Sequence, residues 1–458
     1  MGRSRTLLLA VDGLDEHDLE TLRHAAGNTG GAGATGGAGA NGAAGPARPA
    51  DGDTRFPALA RTVLTGMTEL RIRPGGPSEP APVLASLVTG ASVARTGVAT
   101  AEPFLVDRPE SRSTWYASSM AAPTLFTQAR EAGLVTAALQ WPATAGADID
   151  LCLPLVEDLH RYRNRWEMAV ATSSPRMITE HLACRREAGV QLSQVPPDDL
   201  VAEIAAEALG HGHIDLLAAR LTGLAIVRRT LGPGTAQARR ALLDTADALE
   251  QILTAFSPLA EDRVLLVPGR PVIPTALLVH PNTALAAHGL LRTEGNHLRD
   301  FDALVWPDGP RGVVHVRREV DAAVREGVLH ALSTLSEGGP ANGVGAHDRL
   351  SLRPVDDGVE ASEETDVIAV LEGGPGTVFG LSATNRSLVE GDDPYYAGPR
   401  TVSDPSALAV VLARGPGLPE RTVEGSWADL GVTLAQALGL SLPGATAAGM
   451  CAPAAAPA

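Results

Sequence analysis

TLLLAV at 6–11 is a short, unbroken apolar run that ends in Asp12 and Gly13. A strand that is apolar on both of its faces needs cover on both sides, which points to the middle of a parallel sheet between two layers of helices. Runs of the same kind return at VTAALQ (135–140), IDLLAARL (214–221) and RVLLVP (263–268). Helical periodicity lies between and around them, at 15–26, 56–66, 83–90, 124–134, about 173–187, 198–209, 234–256 and 427–440. Strand–helix alternation of this sort predicts an α/β fold with a central, mostly parallel sheet. Residues 281–356 differ in texture: a short helix in TALAAHGLL, then a strand and helix in VVHVRREVDAAVREGVLHALSTL. We expect a small cap lobe there, inserted into a core formed by 1–280 and 357–458. DVIAVLEGG (366–374) reads as a return to that core. The Gly/Ala tract at 27–53 has no periodicity and almost no charge, and predicts a disordered loop insertion.

Composition narrows the function. The chain has 458 residues and a formal net charge of −16, and all 37 of its basic side chains are arginine. Such a charge repels nucleic-acid phosphates and anionic membrane surfaces, so neither is expected as a partner. Three cysteines without metal-ligand spacing fit neither a disulfide scaffold nor a zinc cluster. The apolar run after the basic N-terminus is too short for a signal peptide, and no run is long enough to span a membrane. The expected location is cytoplasmic. Gly232 to Gly234 read as a helix-start turn, and Trp141 in QWPATAG as core packing.

Several stretches, in order, resemble the type I phosphodiesterase/nucleotide pyrophosphatase family of the alkaline phosphatase superfamily. LLLAVDGL resembles its opening strand, and PAPVLASLVTGASVARTGV its nucleophile turn and helix. TLFTQAREAGLVTAALQWPATAGADIDLCLP is similar to the next helix, strand and Trp-Pro turn. HIDLLAARLTGLAIVRRTLGP resembles the strand and loop that carry an Asp and a His, and HPNTALAAHGLL the entry to the cap lobe. LAVVLARGPGLPE and the final helix resemble its last strand and helix. The resemblance implies a two-zinc phosphoryl displacement by a Thr or Ser nucleophile, with Asp and His ligands at strand ends.

Carried over position by position, that chemistry is mostly missing. Asp12 matches the first metal ligand and is the sole survivor. The nucleophile position is Pro80, which has neither hydroxyl nor N–H; Ser78, two residues upstream, is the fallback. The next Asp and His positions hold Ala225 and Arg229. A later Asp–His pair falls near Pro268 and Gly269, with Arg270 next. No histidine occurs between His213 and His280 or after His347. The reading is therefore a non-catalytic binding or regulatory relative, with a phosphorylated small molecule or a protein as partner and no cofactor expected. The alternative is an active hydrolase of phosphate or sulfate esters with a rebuilt zinc site, using Asp392, Asp393, His211 or His213. In either case Arg229 and Arg270 are candidate anion-binding residues, with Asp12 as anchor for one of them. Asp12, Pro80, Arg229 and Arg270 should line one pocket at the carboxyl ends of the strands.

Overall fold

In the computed structural model, the run that ends at Asp12 is a central strand of the molecule. Thr6–Val11 (β1) is buried at every position. Leu7, Leu9 and Val11 pack into one apolar cluster, while Leu8 and Ala10 pack into another on the opposite face. The structure describes residues 4–27, 55–73, 79–98, 114–158, 161–192, 197–295, 297–337, 350–355, 365–385, 387–391, 401–403 and 407–450. Beyond Gly27, the tract expected to be a disordered loop lies outside them, as do Ser78, Asp392 and Asp393.

The remaining strands of the main sheet are Thr68–Ile72 (β2), Thr136–Leu139 (β3), Leu151–Leu153 (β4), Leu216–Leu221 (β5), Arg263–Pro268 (β6), Ala409–Arg414 (β7) and Val423–Gly425 (β8). Their order is β8-β2-β7-β6-β1-β5-β3-β4. All run parallel except β7, which is antiparallel to both β2 and β6. Helices 198–211 and 236–256 contribute to the cluster on one face, and helices 80–89, 125–131 and 427–437 to the cluster on the other. Because β1 lies between β5 and β6, the carboxyl ends of these three strands meet at one place, where α/β sheets hold ligands. Among the described residues no helix is long and apolar enough to cross a membrane.

Two expectations need correction. Thr365–Gly373 is not a return to the core. It pairs antiparallel with Arg311–Arg317 and Leu350–Pro354 in a second, four-stranded sheet that also includes Ala303–Asp308. Its Ala369 and Leu371 join that lobe's own apolar cluster, beneath helix Ala322–Glu337. An apolar run looks the same in sequence whichever sheet it enters. The second correction concerns the stretch after β5, expected as a loop. It is a helix, Gly223–Leu231. Asp198 accepts the N–H groups of Thr222 and Gly223 at 2.8–3.2 Å, satisfying donors that a helix start leaves open. Gly232 ends this helix and Thr235 caps the next, so the Gly-rich turn sits between two helices. Trp141 is fully buried, edge-on to Phe126 at 6.3 Å between ring centres.

Candidate functional site

At the carboxyl ends of β1 and β6 lies a cavity of about 40 Å³. Its lining includes Asp12, Pro80, Arg229 and Arg270, together with Ala225, Gly269 and Trp427. The four residues singled out in the sequence thus come together in space. His213 does not join them. It donates or accepts at 2.6 Å with Asp215, which precedes β5 and accepts the N–H of Val135, and so belongs to the opposite end of the parallel strands. His211 ends the helix that leads there.

Asp12 is buried. Arg220 of β5 donates to its carboxylate. The Arg220 guanidinium donates from Nε to both Asp12 oxygens at 3.1–3.2 Å and from Nη2 to Oδ2 at 2.5 Å. Ala10 and Arg220 are register partners in adjacent strands, which places the guanidinium beside the end of β1. Both carboxylate oxygens therefore already accept from a fixed cation, in the fork geometry that arginine supplies. The residue had a readable signal: one charge inside an otherwise apolar strand requires a counter-charge on a neighbour.

The backbone around Asp12 is closely packed. Gly13 has φ +77°, and a Cβ there would lie 2.9 Å from Ala225 Cα. A Cβ on Gly269 would lie 2.5 Å from the Gly13 nitrogen. A histidine at 269 could not be placed without moving the β1 turn. The Gly269 N–H donates to Val11 O at 2.8 Å, and Arg228 donates to Gly13 O and to Asp18, so this turn is held from several sides. A two-zinc site does not fit these residues. Among those described, no group of three or more His, Cys, Asp or Glu could hold a metal ion.

Pro80 is the first residue of helix Pro80–Thr89, after Glu79 in extended conformation. Proline suits that position because its missing N–H has no helical partner to lose. Pro82 follows two residues later. Of the first three helical residues, only Ala81 retains an N–H to offer an anion. Gly90 ends the helix in the left-handed conformation, φ 63°, as its place in the sequence suggests.

The cavity's charge comes from arginine. Arg270 is buried, 6 % exposed. Arg229 is half-buried; the nearby Glu79 raises its pKa, burial lowers it, and Asp12 adds a smaller upward push. Trp427 is also buried, and its indole Nε1–H has no hydrogen-bond partner among the described residues. Asp198, behind the helix start, is pushed up to about 6 chiefly by burial, against the pull of its backbone hydrogen bonds.

No family model and no curated protein matches the chain. Solved structures do. Murine ectonucleotide pyrophosphatase/phosphodiesterase 5, as an inactive variant in complex with AMP, aligns with a TM-score of 0.53 at 13 % identity, over 96 % of each chain. A second structure of the murine protein gives 0.53 at 14 %, and the human protein 0.52 at 14 %, again over 96 % of each chain. At these identities the likeness speaks for architecture, and the architecture is the alkaline-phosphatase-like α/β fold.

Proposed function

We propose that this chain is a non-catalytic relative of the type I phosphodiesterases and nucleotide pyrophosphatases, and that it binds a small oxyanion where such enzymes hold their metals. The observation that carries the reading is the Arg220 fork on Asp12. A guanidinium supplies fixed positive charge without a metal, but it cannot generate a nucleophile, and Pro80 supplies none. Arg229, Arg270 and the Trp427 N–H furnish donors for phosphate or sulfate oxygens. The similar murine structure is described as a complex with AMP. For this chain the proposal extends to an oxyanion held by the arginines that line the cavity.

The test combines metal analysis, turnover and ligand protection. Purified protein should contain well under one zinc or manganese per chain and show no hydrolysis of p-nitrophenyl phosphodiesters with either metal added. Millimolar phosphate or sulfate should raise Tm by about 2–4 °C, and Arg229→Ala should abolish that rise. Two metals per chain with chelator-sensitive turnover would overturn the reading.

A further inference from the structure

A second pocket, of about 470 Å³, is built on the four-stranded sheet and shares no lining residue with the cavity at Asp12. Three walls form it. Leu304 and Trp306 lie two apart on strand Ala303–Asp308 and so share one of its faces. Thr293 and Leu298 are register partners in the hairpin of Leu291–Glu294 with His297–Phe301. The loop at 381–385 makes the third wall, from exposed Leu381 to Asn385. Asn282 ties the first wall to the third. It is fully buried, exchanges hydrogen bonds with the Val305 backbone at 2.7 and 2.9 Å, and donates to Leu381 O at 3.2 Å. Thr283 donates to Ser382 O at 3.2 Å, and Asn385 Nδ2 donates to His280 Nε2 at 2.6 Å. Three side chains at the start of helix Pro281–Ala287 thus hold the loop, and the space beneath it is preformed.

We propose that this pocket binds an uncharged, ring-bearing ligand with a hydroxyl or other hydrogen-bond donor at one end. The site is independent of the oxyanion reading above. Its volume is that of small-molecule sites, which present an apolar lining with a few placed polar groups. The lining contains no ionisable side chain among the described residues. A charged ligand would enter without a counter-charge, which is the costly case, whereas a neutral one gives up little on leaving water. The Trp306 indole and the leucines offer a flat ring its contact. At the polar end, Asn385 Oδ1 accepts from Ser382 at 3.2 Å and has a second lone pair for a ligand donor.

The probe is 2-naphthol, with 2-naphthoate and 2-naphthylmethylammonium as analogues of similar shape that carry a charge of either sign. Equilibrium dialysis at neutral pH should show one 2-naphthol per chain with a dissociation constant below about 100 μM. Both charged analogues should bind at least about tenfold more weakly. Using both signs separates the pocket's neutrality from the negative charge of the whole protein. Ala383→Trp on the loop and Thr293→Phe on the hairpin fill the pocket from two walls. Each should weaken 2-naphthol binding at least about tenfold while far-ultraviolet circular dichroism stays as in wild type. If one variant fails to fold, the other carries the comparison, and wild type with the charged analogues tests the ligand class by itself. No saturable binding of 2-naphthol by wild type at millimolar concentration would overturn the proposal. So would undiminished binding by a folded filling variant, which would put the compound elsewhere on the molecule. A charged analogue that binds as tightly as 2-naphthol would overturn the assignment of an uncharged ligand.

Discussion

Arg220 and Asp12 are a buried pair whose members cannot be judged separately. Removing one partner leaves an uncompensated charge, which is the costly case; replacing both can be close to neutral. Arg220→Met should therefore destabilise the protein by about 3–5 kcal/mol in urea unfolding. The double change Asp12→Asn with Arg220→Met should recover much of that loss. Additive losses would mean that the pair contributes little beyond its packing. Asp308 allows a second residue-scale test. Burial pushes its carboxyl from 3.8 up to about 6, with Arg311 pulling down and Glu79 pushing further up. An acid whose folded pKa exceeds its unfolded pKa binds more protons when folded. Its contribution is then full below about pH 4 and is lost as pH rises through about 6. Asp308→Asn should gain about 2 kcal/mol over wild type above pH 7 and nothing below pH 4, read from urea midpoints across that range. The difference between the two proteins isolates Asp308 from His315, which burial lowers to about 4 and which acts in the opposite direction over the same window.

At the scale of elements, the cavity depends on how helix Pro80–Thr89 meets helix Trp427–Ala437. They cross closely at Gly431, where a Cβ would lie 2.1 Å from Leu87 O. The second helix starts with a capping box between Ser426 and Asp429, which fixes Trp427 at its first turn against the cavity. Gly431→Ala must separate the helices and should cost about 2–3 kcal/mol. It should also weaken anion protection of Tm, although residue 431 does not line the cavity. Normal anion protection in that variant would show that the crossing does not position Trp427. Pro80→Thr places a hydroxyl where the family resemblance puts the nucleophile. On the proposed metal-free reading, hydrolysis of phosphodiesters should stay at background and stability should change by less than about 1 kcal/mol. Turnover in Pro80→Thr would reveal a site that the geometry does not show. The helix itself was legible from its apolar spacing and Gly90, but its crossing partner was not, since nothing local ties residue 87 to residue 431.

At the scale of the whole molecule, the proposed metal-free reading predicts that chelators leave Tm and the unfolding midpoint unchanged, as differential scanning calorimetry with and without EDTA would show. A fall in Tm with EDTA would place a metal somewhere in the chain. The sequence by itself determined the α/β class, because fully apolar strands alternating with amphipathic helices have few other ways to bury both faces. It also determined what cannot be done at Pro80, Ala225 and Arg229, since side-chain chemistry travels with the residue. The resemblance to the phosphodiesterase family carried Asp12, Pro80, Arg229 and Arg270 to one opening at the strand ends. Only the tertiary structure decided which charges pair. Arg220 reaches Asp12 across 208 positions of chain, and Glu79 meets Arg229 from a different element. It also decided that residues 365–373 enter the lobe's sheet rather than the core, and that Gly269 presses on the β1 turn too closely for any side chain. Apolar pattern records how much surface must be buried, whereas pairing and close approach depend on which surfaces are brought together, and that is settled by the folded chain as a whole.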